Sequence, residues 1–284
     1  MADIIELDGI HRLGMPGFFS LREGPQATSI ADQCLGISAW GEFSRLCKIY
    51  PGQFIVVTGV PGHGKSTFIL NMLCKMAREH GTVTWAYVPE NEGFLRAKVR
   101  RIWQNDTTWD RFSGGQFFYQ SAVPEFNPND FKSMDWVLHR AAKAIQEYDW
   151  PSCVVLIDPW NELDRARGRD ESVTDYIGRS LIMVKDFCRG LKVTVIIVAH
   201  PTKAVNDNGT RPPGLYDVEG SANWFNKMDN GLVVWRDMDT GTAKVSSLKV
   251  RYSPDAGEIG AAFFHVDRET GIFTPQIGTT GYEP

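Results

Sequence analysis

The chain has 284 residues, 43% hydrophobic and 23% charged, and its longest apolar runs, residues 154–157 and 193–199, stop far short of the roughly 20 residues that a membrane-spanning helix needs. Thirty Lys and Arg against 34 Asp and Glu give a formal net charge of -4, which excludes a surface coated with basic residues for duplex DNA and confines any nucleic-acid contact to a local patch. Asp3, Glu6 and Asp8 stand where a secretory leader would be basic, and Cys34, Cys47, Cys74, Cys153 and Cys188 form neither a C-x-x-C pair nor a zinc-like cluster, so reduced packing cysteines in a cytoplasmic compartment are expected.

Residues 1–50 are punctuated by Gly14, Pro16, Gly17, Gly24 and Pro25 ahead of a helical stretch at 38–47, and Pro51-Gly52 marks a turn. They read as an N-terminal arm, a subunit-packing element, before one main domain at 51–284. There, short β-branched runs at 53–58, 83–88, 153–158, 193–199 and 231–235 alternate with segments of helical period. Phe68, Ile69, Met72, Leu73 and Met76 share a helix face, with Gly81 as its stop, and 94–104, 131–148 and 173–188 read as further helices. Continuous apolar strands separated by helices predict an α/β fold with a mainly parallel central sheet covered on both faces. Residues 243–252 and 261–266 alternate instead, which predicts a C-terminal β-hairpin extension.

Gly59-Val60-Pro61-Gly62-His63-Gly64-Lys65-Ser66 is a complete phosphate-loop pattern, directly after a strand and directly before a helix. Glycines let the backbone wrap phosphates and the helix start, with Thr67 next, offers unpaired N–H groups; Lys65 neutralises the outer phosphates and Ser66 ligates magnesium. ATP and Mg2+ are therefore expected. The strand at 153–158 ends in Asp158, the candidate for the magnesium-side acid. The strand at 83–88 runs into Pro89-Glu90-Asn91-Glu92, at the carboxyl edge where open α/β sheets bind ligands. Glu90 is nearer the strand end and is the preferred base for an attacking water, with Glu92 as a helix-start acid. His200 ends the next strand, placed to contact a terminal phosphate, and a loop without apolar pattern runs from there to about Leu215.

These features together resemble the RecA-like motor domain of superfamily-4 hexameric helicases, the DnaB-like and Twinkle-type replicative helicases including phage primase-helicases. The resemblance spans residues 36–273. It includes Gly36-Ile37-Ser38, the Pro-Glu-Asn run at 89–91, Asp158-Pro159-Trp160-Asn161-Glu162-Leu163-Asp164, Ala199-His200-Pro201, Leu215-Tyr216-Asp217-Val218-Glu219-Gly220-Ser221-Ala222 and Asp229-Asn230-Gly231. It implies a RecA-like P-loop ATPase core in which Glu90 is the catalytic base, Asp158 the magnesium-side acid and His200 the γ-phosphate sensor. Arg165, Arg167 and Arg169 in one loop and Lys203 and Arg211 in the next would track single-stranded DNA, with a solvated charge cluster as the plainer reading of the first three. Arg96, Lys98, Arg100 and Arg101 read as helix-surface or subunit-contact residues.

Lys249 and Arg251 are two apart on the strand at 243–252, so they share a face, opposite Leu248 and Val250. The run Leu248-Lys249-Val250-Arg251-Tyr252 resembles the helicase segment that supplies cations to a neighbouring subunit's ATP. The family reading thus implies a homo-oligomeric ring, hexameric, moving 5′ to 3′ on single-stranded DNA in replication, in a cytoplasmic or phage-infected host compartment. No membrane partner is expected. Nothing in the chain resembles a primase or a collar domain, so a separate primase or polymerase is expected and ring assembly would rest on the arm. Two alternatives remain: a recombinase-like single-strand-dependent ATPase without unwinding, and a slow ATPase switch that recruits replication partners.

Overall fold

The computed structural model describes residues 4–7, 10–13, 29–37, 40–89, 92–121, 132–164, 167–201, 213–218 and 221–276. In chain order its elements are β1 (Ile4–Leu7), β2 (Ile10–Leu13), α1 (Ile30–Gln33), α2 (Gly41–Leu46), β3 (Phe54–Thr58), α3 (Lys65–His80), β4 (Val83–Tyr87), α4 (Glu92–Trp103) and α5 (Asp106–Gly115). They continue with β5 (Phe117–Gln120), α6 (Met134–Tyr148), β6 (Cys153–Ile157), α7 (Val173–Leu191), β7 (Thr194–Val198), α8 (Ser221–Lys227), β8 (Asn230–Arg236), β9 (Thr242–Val250), β10 (Gly260–Val266) and β11 (Phe273–Pro275).

Every residue of β3, β4, β6 and β7 is buried, as unbroken apolar runs require of strands covered on both faces. They lie in a nine-stranded sheet of order β11-β10-β9-β8-β3-β7-β6-β4-β5. From β8 to β5 all neighbours are parallel, and β9, β10 and β11 continue the sheet antiparallel. This is the expected α/β architecture with its C-terminal extension. β1 and β2 form a separate antiparallel pair.

Two apolar layers sandwich the sheet. One face packs Phe68, Ile69, Met72 and Leu73 of α3 with residues of α4 and α5. The other receives Val137, Leu138 and Ala141 of α6 and Tyr176, Leu181 and Val184 of α7. Local signals set the helix ends: Ser133 accepts from the Trp136 N–H, Ser172 from that of Asp175, and Gly81 closes α3 with a left-handed φ of 67°.

Composition assigned residues 36–50 to an arm, yet Ile37, Trp40, Phe43, Leu46, Cys47 and Ile49 are buried in the α3-side layer. Trp40 stacks on Phe68 at 5.1 Å and meets Phe264 of β10 edge-on at 5.1 Å. Gly and Pro punctuation hid a segment whose apolar side chains seal one face of the sheet. Pattern reading also passed over α5 and the edge strand β5, a four-residue strand whose short aromatic run, Phe117-Phe118-Tyr119, is half-buried or exposed.

The alternation along β9 holds for Ala243, Val245 and Ser247, which point inward, and then breaks. Lys249 pairs with Gly231 and Ser247 with Leu232, so Leu248 is an extra, exposed residue in a bulge. The strand ends at Val250, leaving Arg251 just beyond it. Among the described residues, all five cysteines are free and no helix is long and apolar enough to cross a membrane.

Candidate functional site

The carboxyl ends of β3, β6 and β7 meet at one edge of the sheet, where a cleft of about 490 Å3 is lined by Pro61, Gly62, Gly64, Lys65, Ser66, Thr67, Lys98, Asp158 and His200. Its floor is the turn from β3 into α3. Gly64 caps α3 at a φ of 90°, a left-handed conformation that only glycine adopts without strain, and leaves the first-turn N–H groups of the helix facing the cleft. Gly59 is required for a different reason: a Cβ there would lie 2.0 Å from the carbonyl oxygen of Val234 on β8.

Lys65 is buried, and its Nζ donates to the carbonyls of Gly59 (2.9 Å) and Val60 (3.1 Å), which holds the ammonium inside the turn. The Ser66 hydroxyl hydrogen-bonds the Asp158 carboxylate. Burial pushes the Asp158 carboxyl above its ordinary range, and the Ser66 bond and the nearby Lys65 and Lys98 charges pull it back only in part. A buried carboxylate beside a hydroxyl presents hard oxygen donors whose desolvation a divalent cation would offset. With phosphates completing the shell, that suits magnesium.

His200 follows β7, and its N–H donates to Oδ1 of Asn161 at 3.0 Å, tying the end of β7 to the turn after β6. Burial, then the Lys65 charge, lowers its pKa, so the ring is neutral at pH 7. Its Nδ1 is buried and has no hydrogen-bond partner among the described residues. A phosphate oxygen in the cleft is the kind of acceptor that would satisfy it.

Two residues differ from expectation. The His63 ring turns away from the cleft: Nδ1 accepts the backbone N–H of Arg236 at 3.1 Å, and the ring lies 6.3 Å from that of Trp235. Burial, Lys65 and Arg236 all lower its pKa, so a neutral acceptor fastens the phosphate loop to β8. Lys98, read from sequence as a helix-surface or subunit-contact residue, lines the cleft from α4. It lies three residues after the buried Leu95 and four before the buried Ile102, which brackets the face that turns inward, a signal the dense run of cations concealed.

A smaller lobe of about 190 Å3 adjoins the cleft at Gly64 and Thr67 and is lined by Arg101, Arg236, Arg268 and the β10–β11 turn. Asn71 anchors that turn to α3: its Nδ2 donates to the carbonyls of Thr67 (2.8 Å) and Gly271 (2.9 Å), and its Oδ1 accepts the Phe273 N–H at 3.2 Å.

Glu90, Arg165, Lys203 and Arg211 lie outside the described residues. Arg167 and Arg169 are exposed, on a segment braced where Glu171 accepts the Gly168 N–H and pairs with Arg179 at 2.9 Å. Lys249 and Arg251 lie at the opposite edge of the sheet from the chain's own phosphate loop, beside the start of β8, where Asn230 pairs with Val250. Lys249 Nζ donates to the Phe225 carbonyl, and Arg251 Nε meets Asp229 Oδ1 at 2.8 Å.

Comparison with known proteins agrees with this geometry. The chain is 32% identical over 271 residues to the Twinkle homolog protein, chloroplastic/mitochondrial, of Arabidopsis thaliana, covering 87% of this chain but 37% of that protein. It therefore spans well under half the length of that relative. Among solved structures, an isolated ATPase domain superposes with a TM-score of 0.69 at 18% identity, over 85% of this chain and 92% of that one. A DnaB-like replicative helicase, described with its interactions with primase, gives a TM-score of 0.69 at 18% identity over 84% of this chain and 63% of the other. Residues 46–206, more than half of the sequence, match the AAA domain family, and on that match the chain belongs to that family, with the fold of DnaB-like helicase ATPase domains.

Proposed function

We propose that this chain is the motor domain of a ring-forming replicative DNA helicase, hexameric and moving 5′ to 3′ on single-stranded DNA as it hydrolyses ATP. The observation that carries the reading is the convergence of Lys65, Ser66, Asp158 and His200 from three strand ends into one cleft, on a chain akin to a Twinkle homolog. Lys65 and the α3 N-terminus bind the phosphates, Ser66 and Asp158 hold magnesium, and the adjoining lobe takes the nucleoside. Magnesium, when bound, supplies positive charge against the phosphate oxygens. His200 donates a hydrogen bond to the terminal phosphate. Glu90 takes the proton from the attacking water.

Lys249 and Arg251 act on the neighbouring subunit's ATP. Their place at the far edge of the sheet supports this: β3 alone is five residues, about 16 Å at roughly 3.3 Å each, which no arginine side chain spans back to its own phosphate loop. A guanidinium delivered in trans is worth roughly 10³ to 10⁵ in rate. Arg165, Arg167, Arg169, Lys203 and Arg211 contact the single strand, and a separate primase is a partner.

The test is the ATPase rate with and without single-stranded DNA, alongside native mass in ATP and magnesium and a forked-duplex unwinding assay. Stimulation by DNA, a closed oligomer and strand separation are expected; DNA-independent turnover by a monomer would sink the reading. Glu90→Gln should bind ATP at wild-type affinity and hydrolyse at least roughly 10²-fold more slowly. If Glu92→Gln does so and Glu90→Gln does not, the base is the other glutamate.

A further inference from the structure

The neighbour-facing cation pair grows out of a buried ionic hub. Asp229, 1% exposed, precedes β8, accepts from Lys185 Nζ on both carboxylate oxygens (2.6 Å each) and from the Phe54 N–H at 2.9 Å, and forms an ion pair with Arg251 Nε at 2.8 Å. Each donor comes from a different element: α7, the start of β3, and the residue after β9. Arg251 is held further by Nη2, which donates to the carbonyls of Asn226 (2.7 Å) and Met228 (3.1 Å) at the carboxyl end of α8. Three acceptors thus fix one edge of the guanidinium. Its Nη1 makes no hydrogen bond or ion pair among the described residues, and the side chain is 35% exposed.

The charge arrangement matters as much as the geometry. A lone Asp–Arg pair would neutralise the arginine. Here Lys185 occupies both oxygens of the same carboxylate, and Lys249, over the Phe225 ring at 4.6 Å, adds a third cation beside it. Two cations pair with one carboxylate and a third lies within its electrostatic reach, so positive charge is left over on the side that faces out of the chain.

Resting on the trans reading above, we infer that Asp229 is the positioning residue for Arg251, with Lys185 as the buried counter-charge that keeps the guanidinium available to an anion on the adjoining subunit. Preorganisation of this kind matters because a displacement near 1 Å at a reacting centre can cost on the order of 10²-fold in rate.

The test compares Asp229→Asn, and Asp229→Asn combined with Lys185→Met, against Arg251→Ala. The paired variant removes both buried charges together and so leaves no uncompensated ion if the single variant does not fold. Each Asp229 variant should lower kcat roughly 10²-fold with KM for ATP unchanged. The combined Asp229 and Arg251 variant should be no slower than Arg251→Ala alone, since both changes act through one group. Co-assembly with Lys65→Ala subunits should restore activity, because the Lys65→Ala chain brings an intact hub to an intact phosphate loop. A wild-type kcat in the Asp229 variants, a combined Asp229 and Arg251 variant slower than Arg251→Ala alone, or no recovery in mixtures shown to co-assemble overturns the inference; in the last case the carboxylate serves β3 and its own phosphate loop. Wild-type kcat in Arg251→Ala would instead overturn the trans reading, whatever the Asp229 variants do.

Discussion

Asp158 shows how one residue can serve chemistry against stability. Its carboxyl is pushed upward by burial despite Ser66, Lys65 and Lys98, so the folded protein binds that proton more tightly than the unfolded chain does. Stability from this group is complete below the ordinary aspartate pKa of 3.8 and is lost as pH rises through the higher folded value. Asp158→Asn cannot ionise and escapes that loss. We therefore expect the variant to melt above wild type at pH 7.5, with the gap closing towards pH 4, while magnesium-dependent hydrolysis falls by at least roughly 10²-fold. Thermal melts at the two pH values check the first part, and a steady-state ATPase assay checks the second. A variant that melts below wild type at pH 7.5 would mean that the Ser66 and Lys65 contacts outweigh the desolvation.

Among the elements, the C-terminal extension does more than widen the sheet. Asn71 bridges α3 to the β10–β11 turn through two hydrogen bonds, with a third back to Thr67 in its own helix, at a site 2% exposed. Asn71→Ala strands the Gly271 carbonyl and the Phe273 N–H, and should cost about 2 to 3 kcal/mol by urea denaturation, with weaker nucleotide binding because the turn also walls the adjoining lobe. The parallel strands and the phosphate loop were legible in the sequence because each is written locally, in apolar runs and in a fixed spacing of glycines. Lys98 was not: its role depends on how α4 crosses the cleft, a tertiary fact that a run of four cations does not encode. Nor were Trp40 and Phe43, whose burial follows from packing against Phe68 and Phe264, far away in the chain. The bulge at Leu248 is a third such case, since it shows only in the pairing of β9 with β8, where Gly231 meets Lys249 and Leu232 meets Ser247.

For the whole molecule, a formal charge of -4 requires that any hold on single-stranded DNA be local. Neutralising Lys203 and Arg211 together should weaken that binding and flatten its salt dependence, each lost phosphate contact removing about 0.7 from the slope magnitude. Basal ATPase should persist; a slope identical to wild type would take the long loop out of the DNA path. The two edges of the sheet carry a further consequence. The phosphate loop sits at one edge and Arg251 at the other, so on the proposed reading each chain holds two unlike halves of a site and must meet its neighbour head to tail. A row of n subunits that does not close then has n − 1 complete sites, with one idle phosphate loop at one end and one idle cation pair at the other. Specific activity per subunit would climb with assembly size as (n − 1)/n and reach its ceiling only when the last copy joins the first.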